Sequence, residues 1–554
     1  MSLYSILQPH LEHSPHESML IQEGQSISYQ QFDRLVQRTE LWLIENGVQA
    51  GDHVAVWLIN RAEWLALLFA LTRIGATLVA VNTKYRSHEL QHILTHSQAK
   101  LLILQLNFGK IDFAEVLSGV DASSLPHLKN IAVIDADHHT PDTLLDRPVT
   151  GWNPNTASEQ DSIARVSANP EAPAVFFTTS GTTKGPKLVI HNQRTLSEHS
   201  RHIAAGYQFS QPDNKLLAAL PLCGVFGLNS ALGAIASGIP VVLMDFFDVE
   251  TATSLIKQHA VTHIFGSDEM LRIFVAHTAE QIPFPSLKLF GFASFSPRFI
   301  ELAETLVPRG FPMRGLYGSS EVQALFALQH ANLPIEERAL GGGMPASGPL
   351  AHIRARDPET GVLCAHGVAG ELEIKSPTLF CGYFNNPDAT ADAFTIDGYF
   401  KTGDLGYTRP DGSFVYLARM GDTMRIGGFL VDPSEIEHVL AQQPEIQSAQ
   451  VVGMEIDGKL RTVAFVIGKD NFSPNDNKAD ELQHRQFTAG ILARVGTQLA
   501  KFKIPARLWF VDAFPATASA NGLKFQRVKL REMAQHKLDQ ERTRLAQTLG
   551  KIAP

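Results

Sequence analysis

The hydrophobic positions of this chain alternate between the spacing of amphipathic helices and short apolar runs. Such runs indicate buried strands when turn residues bound them. The predicted elements, in chain order, are a helix over 29–45, a strand over 53–58, a helix over 62–75, strands over 77–81, 172–177 and 241–244, a helix over 248–259, and strands over 263–265 and 287–290. This alternation predicts an α/β fold.

The pattern changes after Asp404, where a hairpin turn over 408–413 is followed by a charged, glycine-rich stretch over 419–428. The elements predicted beyond it are a helix over 433–440, paired strands over 449–455 and 462–467, an exposed loop over 469–480 and a helix over 487–499. We therefore predict a large N-terminal α/β domain over 1–418 and a smaller α+β C-terminal domain over 422–554.

Composition narrows the class of protein. The chain has 554 residues, of which 44% are hydrophobic and 19% charged, as expected for a globular protein. A net charge of -9 argues against nucleic-acid binding. The three scattered cysteines predict neither a disulfide framework nor a zinc site, which favours the cytoplasm.

Two long apolar stretches, 64–81 and 226–244, raise the question of membrane insertion. Arg73 interrupts the first stretch, while Asn229 and the turn at 238–240 divide the second into a helix and a strand. No basic segment followed by an apolar run is present at the N-terminus, so a secretory signal is not expected. We predict a soluble protein without an integral membrane segment.

A loop rich in hydroxyls and glycines follows the predicted strand over 172–177 and is suited to phosphate binding. Glycines let the backbone curl so that its N–H groups and the hydroxyls converge on an anion, and Lys187 supplies a positive charge. The loop residues are Thr179, Ser180, Gly181, Thr182, Thr183 and Gly185. A Walker A loop is excluded, because Gly181 and Gly185 are four residues apart and Leu188 follows the lysine.

The order Thr-Ser-Gly-Thr-Thr-x-Gly-Pro-Lys in this loop resembles the signature of the adenylate-forming superfamily, which includes acyl-CoA synthetases. Four further segments resemble family motifs and occur in the family's order along nearly the entire chain. They are Gly-Leu-Tyr-Gly-Ser-Ser-Glu at 315–321, Lys-Thr-Gly-Asp at 401–404, the stretch 419–437, and Asn-Gly-Leu-Lys at 521–524. The resemblance implies ATP, Mg²⁺ and CoA as ligands and a mobile C-terminal domain that rotates at a hinge over 419–421.

The resemblance also implies roles for individual residues. Tyr317 is expected to stack on adenine, Ser320 to reach the α-phosphate and Glu321 to bind magnesium, a hard cation that prefers oxygen ligands. Asp404 is expected to accept both ribose hydroxyls, with Arg419 as a second ribose and phosphate ligand. The other residues with implied roles are Ala293 beside the adenine, Gly427 and Gly428 at the pantetheine chain, and Lys187 and Lys524 as catalytic lysines.

The family positions of the acyl pocket are mainly apolar and suggest an aryl or aliphatic acid. They are Gly224, Phe226, Gly227, Phe265, Gly266, Phe292, Ser294, Gly315 and Leu316. Asp268 could contact a polar substituent or cap a helix that begins at Glu269, and we favour the cap. Gly224, Phe292 and Gly421 depart from common family residues.

The leading hypothesis is a carboxylic acid–CoA ligase that forms an acyl-AMP from ATP and then a thioester. One alternative is an adenylating enzyme that loads a carrier protein or another acceptor. A second alternative is a weakened acyl-adenylate binder that acts as a regulator. A monomer or a homodimer is expected.

Overall fold

The computed structural model of this protein describes most of the chain. The described residues are 1–134, 136–153, 169–178, 187–211, 213–293, 299–420, 424–426, 429–431, 433–456, 459–469, 481–499, 503–519 and 522–549. Among them, no helix is both long and apolar enough to cross a membrane.

Several helices begin where a polar side chain caps them. Helix Tyr29–Glu45 has a capping box, in which Ser28 Oγ accepts from Gln31 N and the Gln31 side chain accepts from Ser28 N. The α-helices in the described part are Gln8–His13, Tyr29–Glu45, Ala62–Ile74, Ser87–Ser97, Phe113–Ser118, Gln193–Gly206, Val225–Ser237, Val249–His259, Asp268–His277, Phe299–Leu306, Ile335–Arg338, Pro387–Asp392, Pro433–Ala441, Glu481–Val495 and Arg527–Leu549.

Helix Ala62–Ile74 explains the first long apolar stretch. Eleven of its side chains are buried, so the segment is hydrophobic on nearly all sides because it lies inside the protein core. It ends at Gly75, whose φ of 87° is the left-handed conformation that glycine adopts readily. The second stretch forms helix Val225–Ser237 and strand Val241–Leu243, as predicted.

The first sheet is mainly parallel at its centre, with antiparallel strands at both edges. Its nine described strands, in spatial order, are Gly382–Tyr383, Leu188–Asn192, Pro173–Thr178, Thr77–Ala80, His53–Trp57, Leu101–Leu104, Asn130–Ile134, Arg147–Trp152 and Thr143–Leu144.

The second sheet has an antiparallel half and a mainly parallel half that meet at strand Met313–Ser319, and the parallel half ends in the antiparallel edge strand Gln25–Ser28. Its thirteen described strands, in spatial order, are His352–Arg356, Gly370–Lys375, Phe400–Thr408, Phe414–Arg419, Gly341–Pro345, Gln323–Leu328, Met313–Ser319, Leu289–Ala293, His263–Ser267, Leu216–Ala218, Val241–Leu243, Ser18–Gln22 and Gln25–Ser28. Ligands of α/β sheets bind beyond the carboxyl ends of parallel strands, and the segment 319–321 follows directly on such an end.

The C-terminal region has its own sheets and its own core. Buried clusters of the N-terminal region reach Phe414, those of the C-terminal region begin at Met424, and none of the clusters found in the described residues combines the two. The strands here are Met424–Ile426 with Phe429–Val431, Ile446–Ile456 with Lys459–Gly468 and Arg507–Phe510, and Ala516–Ser519 with Gly522–Phe525. The predicted fold class, a large N-terminal α/β domain and a smaller C-terminal domain, is confirmed.

Three local predictions are wrong. The strand predicted over 287–290 is Leu289–Ala293, so it begins and ends later in the chain. The helix predicted over 487–499 is Glu481–Val495, because its polar first turns lack the apolar spacing on which the prediction relied. Helix Asp268–His277 is capped by Ser267, whose Oγ accepts from Met270 N at 3.3 Å, so Asp268 is its first residue and not its cap. Most of the loop predicted over 469–480 lies outside the described residues.

Candidate active site

Three residues from three separate motifs meet in one cluster, which we term the Asp404 cluster: Tyr317, Asp404 and Arg419. Tyr317 Oη donates to Asp404 Oδ2 at 2.6 Å, and Arg419 Nη1 donates to Asp404 Oδ1 at 2.8 Å. Asp404 and Arg419 are direct partners on adjacent antiparallel strands. Each carboxylate oxygen therefore has one protein donor and keeps further acceptor capacity for a ligand.

The residues that precede Asp404 fix its orientation. Thr402 Oγ1 donates to Leu372 O at 2.6 Å and accepts from Asp404 N at 3.0 Å. Gly403 has a φ of 67°, a conformation that L side chains rarely adopt. Arg419 Nη1 also donates to Thr402 O at 2.7 Å. The Thr-Gly-Asp order thus has a structural reason. The threonine side chain bonds this strand to the neighbouring strand at Leu372, and the glycine adopts the left-handed backbone conformation between them.

The ring of Tyr317 is almost enclosed. The residue is 6% exposed, and the ring packs edge-on against Phe414 with 5.2 Å between centroids. Burial and the neighbouring Asp404 charge raise the pKa of Tyr317 well above its usual value, so the hydroxyl stays protonated and donates. Stacking of this ring on adenine stays a prediction.

Glu321 and Lys187 are joined by a residue that sequence analysis did not identify. Tyr383 Oη donates to Glu321 Oε1 at 2.9 Å, and Lys187 Nζ lies 4.5 Å from the centroid of the Tyr383 ring. Burial and the Glu321 charge raise the pKa of Tyr383, while the positive charge of Arg419 opposes the shift. No local pattern could have predicted this contact, because Glu321 and Tyr383 are 62 residues apart in the chain.

The turn that carries Ser320 and Glu321 is held from several sides. Ser319 Oγ accepts from Glu321 N at 3.2 Å and from Val322 N at 3.3 Å. His191 Nε2 lies 2.7 Å from Ser320 O, and since a carbonyl only accepts, this nitrogen carries the proton. The carbonyl oxygen of Ser320 therefore faces the protein interior.

A buried amide network supports the following strand. Gln323 is fully buried, and its Nε2 donates to Thr195 O and Thr378 O at 3.0 Å each. Its Oε1 accepts from Asn229 Nδ2 at 3.0 Å, and Asn229 Oδ1 accepts from Ala324 N at 3.0 Å. The polar interruption that divided the second apolar stretch is thus a satisfied core amide.

The residues predicted to line the acyl pocket are divided between two faces of the sheet. Phe226 and Phe265 contact each other with 6.4 Å between ring centroids. Phe265 pairs with Gly291, and the next residue, Phe292, lies between Gly266 and Gly315 on the neighbouring strands. Since successive side chains of a strand point to opposite faces, Phe265 and Phe292 face opposite ways.

Other predicted positions have structural reasons of their own. A Cβ on Gly315 would lie 2.0 Å from Leu340 O, and one on Gly227 would lie 2.2 Å from Pro221 O. Gly224 is the N-cap of helix Val225–Ser237, and Ala293 ends strand Leu289–Ala293. Close approach of the backbone therefore requires glycine at positions 315 and 227, whatever their part in a pocket.

Several predicted residues lie outside the described part of the chain. They are Thr179, Ser180, Gly181, Thr182, Thr183, Gly185, Ser294, Gly421, Gly427 and Gly428. The backbone of Lys524 lies in strand Gly522–Phe525, paired with Thr517.

Glu321 has the chemistry for one magnesium ligand. Its Oε1 accepts from Tyr383, and its Oε2 can bind a hard cation together with phosphate oxygens of a nucleotide. Within the described residues, no group of three or more His, Cys, Asp or Glu side chains could hold a metal by itself. A single carboxylate oxygen fits a hard cation whose other ligands include phosphate oxygens.

Comparison with known proteins identifies the class. A family model described as an AMP-binding enzyme matches residues 7–384, and one described as the AMP-binding enzyme C-terminal domain matches 435–521. The chain belongs to the AMP-binding enzymes, which confirms the predicted adenylate-forming family.

Named relatives extend over nearly the whole chain. A 2-succinylbenzoate–CoA ligase of Bacillus velezensis is 29% identical over 495 residues, covering 89% of this chain and 90% of its own. A 4-coumarate–CoA ligase of Oryza sativa subsp. japonica is 26% identical over 519 residues, covering 90% and 87%. The crystal structure of a RpMatB–BxBclM chimera with bound ATP superposes with a TM-score of 0.78 at 25% identity, covering 96% and 99%. These findings support the predicted enzyme class, an AMP-forming acid–thiol ligase.

Proposed function

We propose that this protein activates a carboxylic acid with ATP as an acyl-AMP and transfers the acyl group to CoA. In the first step the substrate carboxylate attacks the α-phosphorus of ATP, and pyrophosphate leaves. In the second step the CoA thiolate attacks the acyl carbon, and AMP leaves with the electron pair of the broken anhydride bond. Neither step needs a covalent enzyme nucleophile.

The Asp404 cluster is the observation that carries this proposal. A buried carboxylate with one donor on each oxygen can accept two further hydrogen bonds, which suits the two vicinal hydroxyls of a ribose. Tyr317 and Arg419 hold this carboxylate in place before a ligand arrives. Prior orientation lowers the cost of binding.

Charge neutralisation is the main task of the other proposed residues. Lys187 and Lys524 would face the phosphate charge that builds up in the first step, and Ser320 would donate to the α-phosphate. A magnesium ion held by Glu321 would neutralise phosphate charge. The loop residues after Thr178 would donate backbone and hydroxyl groups to the phosphates, and Gly427 and Gly428 would contact the pantetheine chain.

The acyl pocket is proposed to take an aryl or aliphatic acid. The buried contact of Phe226 and Phe265 provides an apolar surface for such a group. We further propose that 419–421 is the hinge between the domains and that the reaction takes place in the cytoplasm.

A direct assay tests the proposed function. The protein is incubated with ATP, Mg²⁺ and a panel of aryl and aliphatic acids, with and without CoA, while pyrophosphate, AMP and thioester are measured. We expect acid-dependent pyrophosphate release and CoA-dependent thioester formation. Acyl-AMP without thioester would point to a carrier protein or another acceptor, and tight binding of acyl-AMP without turnover would point to a regulator. Either result would overturn the CoA ligase proposal.

A further inference from the structure

Tyr383 stands between two groups that belong to different parts of the candidate phosphate site. Its hydroxyl donates to Glu321 Oε1 at 2.9 Å, while the face of its ring lies 4.5 Å from Lys187 Nζ. A phenol is suited to this double contact, because the hydroxyl binds a carboxylate and the ring face attracts a cation. Substitution by phenylalanine would remove only the contact of the hydroxyl, and substitution by leucine would remove both contacts.

The backbone holds this tyrosine firmly. Tyr383 pairs with Val189, so it lies beside the strand that begins directly after Lys187. Its N–H donates to Thr390 Oγ1 at 2.9 Å, and its ring packs against Phe380 with 4.9 Å between centroids. The residue is 9% exposed. A ring anchored in this way can hold other side chains in place.

We propose that Tyr383 is a positioning residue that sets the geometry of the magnesium–phosphate site by acting through Glu321 and Lys187. The inference rests on the proposed function, since it assigns Glu321 to magnesium and Lys187 to phosphate. The hydroxyl holds one oxygen of Glu321 by a hydrogen bond and leaves the other for the cation. The ring keeps the Lys187 ammonium near the same phosphate group, and partners of this kind change metal affinity by about 10- to 100-fold.

Two substitutions separate the two contacts. Tyr383→Phe keeps the ring beside Lys187 and removes the hydroxyl, whereas Tyr383→Leu removes both. Binding of a non-hydrolysable ATP analogue is measured by calorimetry at increasing Mg²⁺, and thermal unfolding of each variant verifies its fold. We expect Tyr383→Phe to raise the half-saturating Mg²⁺ concentration about 10-fold. We expect Tyr383→Leu to weaken nucleotide binding by about a further fivefold at saturating Mg²⁺.

A matched control and a double-mutant cycle exclude a merely structural role. Tyr399→Phe is the control. The centroid of the Tyr399 ring lies 3.8 Å from Arg354 Cζ and 5.7 Å from Lys375 Nζ, so this tyrosine also contacts cations, but it has no recorded contact with Glu321 in the described part of the chain. In a Glu321→Gln background, Tyr383→Phe should add little further change, since the hydroxyl acts through the carboxylate.

The outcomes distinguish this inference from the proposed function. An unchanged Mg²⁺ titration for Tyr383→Phe, or an equal effect with and without Glu321→Gln, would overturn the role of Tyr383. Failure of the wild-type protein to form any acyl-AMP would overturn the proposed function instead. The Mg²⁺ dependence of nucleotide binding would still decide the role of Tyr383 in that case.

Discussion

At the scale of single residues, the Asp404 cluster orients a carboxylate and adds little to the stability of the fold. Asp404 is 8% exposed at its side chain, whereas Arg419 is 57% exposed. Ion pairs with an exposed partner contribute little to folding because solvent screens them. The pair therefore matters chiefly because it holds a carboxylate in a fixed position for a ligand.

Replacing this carboxylate tests its proposed role. In Asp404→Asn one carboxylate oxygen becomes an amide nitrogen, which cannot accept a hydrogen bond. The side chain then cannot accept from both Tyr317 and Arg419 and also accept from both ribose hydroxyls. Hydrogen bonds to charged groups contribute about 1.5–3 kcal/mol, so we expect the KM for ATP in pyrophosphate release to rise by about 10- to 100-fold. The exposed Asp388→Asn is the control. An unchanged KM would show that Asp404 does not bind the nucleotide.

Two buried histidines make stability depend on pH. His191 and His199 each place Nε2 2.7 Å from a carbonyl, of Ser320 and Ala324 respectively. Burial lowers the pKa of His191 to about 4 and that of His199 to about 3. The unfolded chain takes up protons at these histidines near the ordinary value of 6.5. The stability that these neutral histidines contribute is therefore fully present above pH 6.5 and is lost as the pH falls from 6.5 towards their folded pKa values.

For each histidine, we expect the free energy of unfolding to be about 2 kcal/mol lower at pH 5 than at pH 7. His199→Gln keeps an N–H donor for Ala324 O but does not titrate, so its loss between these pH values should be about 2 kcal/mol smaller. Urea unfolding at both pH values measures this difference, with the exposed His352→Gln as control. The same pH dependence in wild type and His199→Gln would contradict the prediction.

At the scale of elements, close contacts between strands determine where glycine is needed. Gly315 lies in strand Met313–Ser319, and the carbonyl oxygen of Leu340 occupies the position that a side chain at residue 315 would need. Phe292 is its partner on the adjacent strand, and Tyr317 follows two residues later. Tight backbone packing at Gly315 therefore helps to place the Asp404 cluster.

Gly315→Ala should displace this strand. Its Cβ would lie 2.0 Å from Leu340 O, and overpacking of this kind typically costs about 1–3 kcal/mol. We expect a lower melting temperature and weaker nucleotide binding. Gly109→Ala is the control, since its Cβ would meet nothing within 4 Å. Equal melting temperatures for the two variants would show that the strand tolerates the methyl group.

At the scale of the whole molecule, the two domains have separate hydrophobic cores, so a change in their relative orientation need not disrupt either core. Lys524 belongs to the C-terminal domain, in a hairpin of strands Ala516–Ser519 and Gly522–Phe525. The Asp404 cluster lies on three strands of the second sheet, Met313–Ser319, Phe400–Thr408 and Phe414–Arg419. The proposed chemistry therefore needs both domains for acyl-AMP formation.

Lys524→Ala separates the two half-reactions. Because the lysine would face charge that develops only in the first step, we expect acyl-AMP formation to fall by about 100- to 1,000-fold. Thioester formation from supplied acyl-AMP should change by less than about twofold. Single-turnover measurements of both steps test this, with the exposed Lys529→Ala as control. Equal losses in both steps would contradict the two-conformation scheme.

Local sequence determined much of this molecule because periodicity and capping act over a few residues. Helix Tyr29–Glu45 was predicted to the residue from its apolar spacing, and the Ser28–Gln31 capping box at its start lies in the same short segment. The family motifs likewise identified Asp404, Tyr317 and Arg419 as candidates that the structure brings into contact. Their roles remain predictions.

Tertiary structure decided what local pattern could not. Ser267 and Asp268 are both good capping residues, and the end of strand His263–Ser267 determines which one caps the helix. Tyr383 is separated from Glu321 by 62 residues, and the pairing of its strand with Leu188–Asn192 places it beside Lys187. Contacts between distant segments depend on sheet order and register, which emerge only when the whole chain packs.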